Sequence, residues 1–524
     1  MSREYGPAAR EERAAEVEES LEAVVEEVAA ANAEAVEARR AFQEESGDVA
    51  AALLPFDDPQ EAFRAKSNMD LVRSLAVFQM CRVRPLVDHA DAHFVAGKDK
   101  EEIQPTLRFL ARHGIAAILD YAAEDDLEAS GEESATGDQV VARVYNYEGE
   151  ELCDRRMDVF LKAIDAASTM NGAGFVAIKL TALGLPELLE RVSNAQLAIR
   201  GLFEQFDDDG NGSVTIDEFR RVYDTYFTSD AEAESAGWFE QLDVTRDGTI
   251  DYVDWTSQIS LFDTAKIASR CRERGPFFNA ALTEEENDLL RKMLARVETL
   301  AAAADASGVR LMIDAEHSWF QPAVDHVTTR LQAQYNVARP VVFGTYQCYL
   351  KDSLPRLRFD LERAQRGGYR FGAKLVRGAY MVVERRRAAE RGAPSPIHDS
   401  LEDTHANYDA CVGEVLAHVA RHGAGLMVAS HNQASIEKAV AAMQRLGLGP
   451  QSGVYFGQLL GMADNLTFVL GQHGYGAYKY VPFGSVDEAM PYLIRRAQEN
   501  SDMLGGVGKE MGMMRRELKR RILG

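Results

Sequence analysis

The fold is decided by the stretch VVFGTYQCYLKDSLPRLRFDLERAQRGGYRFGAKLVRGAY, residues 341–380. This stretch joins two apolar runs through a longer segment with helical spacing. The first run is VVFGTYQCYL (341–350) and the second is FGAKLVRGAY (371–380). Runs of this kind predict buried strands, so the stretch predicts a strand–helix–strand unit. The alternation recurs in AAILDYA (116–122), FVAIKLTAL (175–183), RLMIDAE (310–316), GLMVASHN (425–432), VYFGQLLG (454–461) and AYKYVPFG (477–484).

Eight such strands point to one architecture. Buried parallel strands with intervening helices predict an α/β protein built as a (β/α)8 TIM-like barrel. An open doubly wound sheet is the alternative. No strand candidate is followed by G-x-G-x-x-G, so a dinucleotide-binding crevice of the Rossmann type is not supported.

The composition indicates a folded, acidic protein. The 524 residues are 46% hydrophobic and 27% charged, and they carry a formal net charge of −25. Because such a charge repels phosphate backbones, we expect no nucleic acid partner. The five cysteines lie far apart and form no C-x-x-C pair, which is typical of reduced thiols.

Residues 1–54 differ from the rest in composition. They are rich in Ala and Glu, with apolar residues at helical spacing, and they predict an acidic helical arm; a solvated extension is the alternative. No secretory signal is visible, and the many glutamates are unlike a transit peptide. We divide the remaining chain into the first part of the barrel (55–195), an insertion (196–262) and the rest of the barrel (263–524).

The insertion accounts for more than a hundred residues between the second and third strand candidates. Its segment DDDGNGSVTIDE (207–218) fits the calcium-loop pattern D-x-[DN]-x-[DN]-G-x5-E, and helical patterns flank it. We therefore predict an EF-hand that binds Ca²⁺. Its candidate ligands are Asp207, Asp209, Asn211, Ser213 and Glu218.

A second loop, DVTRDGTIDYVD (243–254), completes an all-α EF-hand pair. It has Thr245 at the third position and Asp254 at the twelfth, where the longer glutamate is usual. The shorter side chain predicts weaker Ca²⁺ binding or a preference for Mg²⁺, and a silent loop is the alternative. The candidate ligands are Asp243, Thr245, Asp247, Thr249 and Asp254.

Polar side chains follow nearly every strand candidate. Because functional residues of barrels gather at the C-terminal ends of strands, these side chains predict a pocket there for a polar, partly anionic ligand. They are Asp120, Tyr121, Lys179, Asp314, Glu316, Gln347, Lys351, Lys374, Arg377, His431, Asn432, Gln458 and Tyr480.

Six motifs, in order, are similar to those of the proline dehydrogenase (proline oxidase) family. They are LMIDAEHSWFQPAVD, GTYQCYLKDS, GAKLVRGAYM, VASHN, FGQLLGMAD and YKYVPFGSVDEAMPYLIRRAQEN. The resemblance implies a flavoenzyme that oxidises L-proline to Δ1-pyrroline-5-carboxylate with FAD. It also implies hydride transfer to flavin N5, a quinone as electron acceptor, and peripheral association with the matrix side of the mitochondrial inner membrane.

The resemblance further implies a substrate pocket with a pair of arginines. Arg495 and Arg496, in PYLIRRAQENS (491–501), would bind the proline carboxylate with their guanidinium forks, and Glu499 would hold one fork in place. Read alone, the three residues are equally typical of a solvated helix face. The other implied pocket residues are Lys179, its supporting Asp314, Tyr480 against the proline ring, Leu459, Tyr380 and, as a weaker outer candidate, Glu316.

The flavin site implied by the resemblance lies along the fourth to sixth strand candidates. Lys374 stands where bacterial members commonly have arginine, and Met381 stands where some members have tryptophan, so both positions depart from the family pattern. A lysine offers one compact charge instead of a planar fork. The implied flavin contacts are Gln347, Lys374, Val376, Arg377, Gly378, Ala379, His431 and Asn432.

Three alternatives to proline oxidation follow from the same residues. The closest is the same chemistry on hydroxyproline, decided by the side chains near Tyr480 and Leu459. A Schiff-base aldolase using Lys179 and a non-catalytic, calcium-responsive binding protein are the others. Because the insertion follows the strand that carries Lys179, calcium control of turnover is a further hypothesis.

Overall fold

The structure, a computed structural model, describes residues 54–80, 94–121, 125–126, 143–145, 147–170, 174–228, 232–272, 275–484 and 504–523. The predicted helical arm, apart from its last residue, lies outside these ranges.

Eight parallel strands close into a barrel, which confirms the predicted (β/α)8 architecture. The strands follow the order of the chain, and β1 closes the barrel by pairing with both β2 and β8. They are β1 (Ile115–Tyr121), β2 (Phe175–Ile178), β3 (Arg310–Ile313), β4 (Val342–Gln347), β5 (Gly372–Val376), β6 (Gly425–Ala429), β7 (Val454–Leu459) and β8 (Gly476–Phe483).

Several strands are shorter than their apolar runs. The run 175–183 ends as a strand at Ile178 because Leu180–Ala182 turns into a 3-10 helix. The run 310–316 likewise ends at Ile313. The polar residues Lys179 and Asp314 therefore follow their strands directly, at the C-terminal mouth of the barrel.

Strand alternation stacks the barrel interior in layers. Successive side chains of a strand point to opposite faces, so every second residue faces inward. A central apolar layer contains Ile118, Phe175, Ala177, Met312, Phe343, Met427 and Tyr478. The next layer toward the mouth is formed by residues that each lie two positions after a member of the apolar layer. They are Asp120, Lys179, Asp314 and Tyr480.

Helices surround the barrel, and side-chain caps fix several of their ends. Thr283 and Glu286 form a capping box at the start of Glu284–Ala306, and Ser400 caps Leu401–His422. The helices outside the insertion are Pro59–Phe63, Asn68–Met80, Lys100–Arg112, Glu150–Ser168, Thr264–Ala268, Pro276–Ala280, Glu284–Ala306, Gln321–Tyr335, Ser353–Gly367, Met381–Glu390, Leu401–His422, Gln433–Arg445, Asp464–Gln472 and Leu504–Leu523. Throughout the described ranges, the helices are too short or too polar to span a bilayer.

The insertion between β2 and β3 consists of two helix–loop–helix units. Pro186–Phe206 and Ile216–Tyr226 flank the first loop, and Glu232–Leu242 and Tyr252–Gln258 flank the second. The two loops are joined by a short antiparallel pair, residues 213–215 against residues 249–251, so the insertion is not purely helical. Residue 196, our predicted start of the insertion, lies inside the continuous helix Pro186–Phe206.

Candidate active site

Asp314 is at the centre of the polar layer in the barrel mouth. Its Oδ1 accepts a hydrogen bond from Lys374 Nζ on β5, and its Oδ2 accepts one of 2.8 Å from the Tyr480 hydroxyl on β8. Asp314 and Lys374 are both buried. The structure thus brings together three residues that lie more than fifty positions apart in the sequence.

Lys179 adds a second positive charge, and Asp120 a second negative one. Lys179 Nζ lies 3.5 Å from Asp120 Oδ1 and 4.0 Å from Asp314 Oδ2. Asp120 is only 3% exposed. It stood among the strand-end residues, but the resemblance assigned it no role; its position inside the apolar run IAAILDY was the signal. Two lysines and two aspartates therefore face one another at the mouth.

Tyr480 is held as a neutral phenol within this layer. Burial raises its pKa well above the usual value of about 10, and the neighbouring carboxylates of Asp120 and Asp314 raise it further. The protonated hydroxyl can therefore serve as a lasting donor to Asp314, which fixes the orientation of the ring. Lys374 Nζ lies 5.5 Å from the centre of that ring.

Gln347, at the end of β4, faces the loop that follows β3. Its Nε2 donates a hydrogen bond of 2.7 Å to the backbone oxygen of Glu316. The Glu316 carboxylate accepts from the hydroxyl of Thr181 at 2.5 Å and from its backbone N–H at 3.3 Å. Glu316 thus ties the loops after β2 and β3 together beside the charged layer.

The guanidinium of Arg377 is directed away from the charged layer. It donates to Ser430 Oγ and Ser435 Oγ, both at 2.7 Å, and to His405 Nδ1 at 2.8 Å. It also lies over the Tyr408 ring, 4.1 Å from the centroid. Arg377 therefore joins the ends of β5 and β6, and the flavin contact that the resemblance implied for it remains a prediction.

The turn after β5 is shaped by Gly378. Its φ is +128°, and a Cβ at this position would lie 2.1 Å from Cε1 of Tyr349, so a side chain cannot be accommodated without movement. Gly378 and the following Ala379 are exposed. Tyr380 packs its ring against His317 at 4.5 Å, which places it beside the site rather than within the charged layer.

The ends of β6 and β7 are connected by His431. Its Nε2 accepts a hydrogen bond of 3.0 Å from the backbone N–H of Leu459. Asn432 caps the helix Gln433–Arg445, because its Oδ1 accepts from Ser435 N at 3.1 Å. Val376 contributes its backbone oxygen, which accepts from Cys348 N at 2.8 Å. These contacts shape the edge of the mouth.

A second charged cluster, which we did not predict, lies under the loop after β7. Asp464 pairs with Lys479 at 2.7 Å and with Lys66, and Lys479 Nζ also donates to the backbone oxygens of Leu459 and Met462. Glu510 accepts from the backbone N–H of Asp464 at 2.9 Å. We call Lys66, Asp464, Lys479 and Glu510 the latch cluster.

Most of the candidate ligands in the first loop of the insertion are hydrogen-bonded to other groups of the same loop. Asp207 Oδ2 accepts from Gly212 N at 2.9 Å, and Glu218 accepts from Thr215 in a capping box. Asp209 and Asn211 are likewise hydrogen-bonded within the loop. Among the described residues, no three His, Cys, Asp or Glu side chains are grouped so that they could hold a metal ion.

The arginine pair and Glu499 lie outside the described residues, so Arg495 and Arg496 remain predictions. The other implied pocket residues divide into two groups. Lys179, Asp314 and Tyr480 meet in the charged layer, while Leu459 and Tyr380 lie at its edge.

Comparisons with known proteins agree on one family. A family model described as proline dehydrogenase matches residues 103–509. The chain is 37% identical over 541 residues to human "Proline dehydrogenase 1, mitochondrial", with 90% of each protein covered. It is 31% identical to the "Hydroxyproline dehydrogenase" of Xenopus laevis, with 88% of this chain and 89% of that protein covered. The crystal structure of proline utilization A from Bdellovibrio bacteriovorus has a similar fold, with a TM-score of 0.52 at 16% identity over 89% of this chain and 41% of that one.

Proposed function

Since this chain belongs to the proline dehydrogenase family and is an oxidoreductase, we propose that it oxidises L-proline to Δ1-pyrroline-5-carboxylate with FAD and passes the electrons to a quinone. The observation that carries the proposal is the layer of Asp120, Lys179, Asp314, Lys374 and Tyr480 in the barrel mouth, in which the four charged residues are buried. Because the chain belongs to this family of oxidoreductases, the alternative functions as a Schiff-base aldolase or as a non-catalytic binding protein are no longer supported.

The residues at the mouth fit FAD. Lys374 and Arg377 supply positive charge on one strand and its loop, Gln347 supplies an amide beside them, and Gly378 leaves backbone exposed where a side chain would obstruct an approaching group. Cations and backbone amides are the groups that bind phosphates and a flavin ring in proteins. FAD, when bound, supplies the acceptor for the hydride that leaves the carbon next to the proline nitrogen.

The charge balance of the layer explains why the substrate needs the predicted arginines. Lys179 and Lys374 already face the carboxylates of Asp120 and Asp314. A substrate carboxylate added to this neutral arrangement would be an uncompensated buried charge. Arg495 and Arg496 supply the missing charge in our proposal, and their binding of the carboxylate fixes which ring carbon reacts.

In the same proposal, the ring of Tyr480 forms the aromatic wall of the substrate pocket, and this wall is rigid. Because the Tyr480 hydroxyl donates to Asp314 at 2.8 Å, the ring cannot swing away from the mouth without breaking a bond to a charged acceptor. A fixed ring face packs on the pyrrolidine of proline and excludes water. The amine of proline loses its proton before or during hydride transfer, because only the neutral amine stabilises the developing iminium.

The absorbance spectrum of the purified protein tests the proposal directly. We expect flavin bands that bleach when L-proline is added under anaerobic conditions. A protein that is colourless and takes up no FAD on reconstitution would overturn the assignment of cofactor and reaction together.

Hydroxyproline oxidation is the second candidate, favoured by the 31% identity to a hydroxyproline dehydrogenase. The same anaerobic titration separates the two substrates. Bleaching at lower concentrations of trans-4-hydroxy-L-proline than of L-proline would make hydroxyproline the preferred substrate. Bleaching at lower concentrations of L-proline supports proline.

We also propose a mitochondrial location, at the matrix face of the inner membrane. Its support is the human relative, which is named a mitochondrial protein. Fractionation of the source cells, with the protein followed by immunoblotting, tests this. Recovery in the cytosolic fraction would contradict it, and release from mitochondrial membranes by high salt would support peripheral association.

Finally, we propose that Ca²⁺ binds the first loop of the insertion and modulates turnover. Its support is Asp207 Oδ1, which is buried and makes no hydrogen bond with a described residue. Binding requires Glu218 to leave Thr215 and turn toward the ion. If Asp207→Ala with Glu218→Ala leaves the Ca²⁺ dependence of turnover unchanged, regulation through this loop is wrong.

A further inference from the structure

The second loop of the insertion contacts the barrel through a charged side chain. Arg366, near the end of the helix Ser353–Gly367, places Nη1 2.5 Å from Asp251 Oδ2 and 3.9 Å from Asp254 Oδ1. In the calcium-loop pattern, Asp251 and Asp254 hold the ninth and twelfth positions of this loop. A guanidinium from the barrel therefore meets two of the carboxylates that would face a cation.

Asp254 depends on this positive charge. Its side chain is only 5% exposed, and it shares the guanidinium of Arg366 with the neighbouring Asp251 carboxylate. A buried carboxylate without a compensating charge is strongly unfavourable. The twelfth residue of the first loop, Glu218, is different, because it makes no ion pair with a described residue and is held only by Thr215.

The contact of Arg366 belongs to a larger docking surface. Arg363, one turn earlier on the same helix, donates from Nη2 to Thr256 Oγ1 at 2.9 Å. The rings of Tyr252 and Phe359 lie 5.0 Å apart. The helix that follows the second loop is therefore fixed to the barrel helix by one ion-pair group, one hydrogen bond and one aromatic contact.

The same barrel helix reaches the strand that carries Gln347. Arg363 Nη1 lies 3.2 Å from Asp360 Oδ1, and Asp360 Oδ2 accepts a hydrogen bond of 2.7 Å from the hydroxyl of Tyr346 on β4. A change at the docking surface is thus connected through buried contacts to the residue that precedes Gln347.

We propose that Arg366 is the built-in cation of the second loop. Its guanidinium takes the place of a divalent ion at Asp251 and Asp254, so the loop serves to fasten the insertion to the barrel. Ca²⁺ enters this loop only when Arg366 is displaced, because Nη1 of Arg366 occupies the Asp251 and Asp254 oxygens that would face the ion. The proposal is independent of whether the first loop binds Ca²⁺.

Calorimetric titration of the full-length protein with Ca²⁺ tests the proposal, with the first loop disabled by Glu218→Gln in every protein. The parent with Arg366 should show no Ca²⁺ binding in the micromolar range. Adding Arg366→Gln should create one site, at least about tenfold tighter than any residual binding of the parent. A third change, Asp254→Asn, should abolish that site again, which assigns the binding to the second loop.

The matched control is Arg330→Gln. Arg330 pairs with Glu298 at 2.9 Å on the surface of two other barrel helices, so its removal should leave Ca²⁺ binding unchanged. A parent that binds Ca²⁺ in the second loop within threefold of the Arg366→Gln affinity would overturn the proposal. So would an Arg366→Gln protein that keeps the unfolding midpoint of the parent and gains no site.

Hydrogen exchange supplies a readout that does not depend on Ca²⁺ affinity. In metal-free protein, Arg366→Gln should speed amide exchange in residues 252–258 by about tenfold, because the helix loses part of its docking contact. The Arg330→Gln control should not change it. Unchanged exchange in the Arg366→Gln protein would refute the fastening role of Arg366.

Discussion

Asp314→Asn is the change that probes the charged layer most directly. The substitution keeps the shape of the side chain and removes its charge. Asp314 holds Lys374 on one oxygen, and its other oxygen accepts from the Tyr480 hydroxyl at 2.8 Å and lies 4.0 Å from Lys179 Nζ. After the change, Asp120 alone would face two buried ammonium groups.

The expected size of the effect follows from burial. The side chains of Lys374 and Lys179 are 7% and 9% exposed, so water compensates little of the lost charge. Removing one partner of a buried ion pair costs about 3–5 kcal/mol. If about 3 kcal/mol of this is lost from the stabilisation of the transition state, kcat/KM for L-proline falls by about 10²-fold.

The assay separates lost folding from lost catalysis. For each protein we would measure the flavin content per chain, the urea midpoint of unfolding and kcat/KM with a soluble quinone, the last expressed per bound flavin. Asp305→Asn is the matched control, because Asp305 pairs with Arg339 on the surface at 2.9 Å and exposed pairs contribute little. An Asp314→Asn protein with kcat/KM within threefold of the parent, and with an unchanged midpoint, would refute the role that we derive from the geometry.

Three further changes probe the hydroxyl of the aromatic wall, the turn after β5 and the latch cluster. Tyr480→Phe removes a hydrogen bond to the charged Asp314, worth about 1.5–3 kcal/mol, so kcat/KM for L-proline should fall by about 10- to 150-fold while FAD content stays unchanged. Gly378→Ala places a Cβ against the Tyr349 ring at positive φ, so FAD affinity, measured by reconstitution titration, should weaken by about tenfold. Burial raises the pKa of Glu510 to about 7, so the stability that its protonated form contributes is complete below its ordinary pKa and is lost as the pH rises through about 7. Between pH 5.5 and 8, the urea midpoint of the parent should therefore show a fall that the Glu510→Gln protein lacks. If the urea midpoint changes with pH equally in both proteins, this prediction is wrong.

Much of the fold and of the charged layer could be predicted because both depend on the same short-range pattern. A parallel barrel buries each strand on both faces, so its strands read as apolar runs, and a charged residue at the end of a run stands out. Lys179 and Asp314 were identified in this way, and the structure brings their side chains within 4.0 Å. The alternation also explains why the predicted residues face one another, since each lies two positions after an inward-facing apolar residue.

The direction of an individual side chain was less predictable. The resemblance around Arg377 implied a flavin contact, but it gave no sign of the hydrogen bonds that the guanidinium donates to Ser430, directly after β6, and to Ser435 in the following helix. A sequence gives the position of a residue on a strand, whereas the choice between two available partners depends on distances between strands. The same limit explains Asp120, which was visible at a strand end but gained its role only from the position of Lys179.

The latch cluster could not be predicted at all, because its four residues come from the two ends of the described chain and from the seventh and eighth βα units. Lys479 reads as one outward position of β8, and Glu510 as one acid of a charged C-terminal helix. In the structure both meet Asp464: Lys479 pairs with its carboxylate, and Glu510 accepts from its backbone N–H. This anchors β8 and the helix Leu504–Leu523 at one point, next to the loop that follows Leu459. In the sequence, the stretch that carries the predicted arginine pair lies between β8 and the helix Leu504–Leu523. In our proposal that Arg495 and Arg496 bind the substrate carboxylate, the latch cluster fixes the two described elements that flank them in the sequence, and a binding group is only as well placed as such elements.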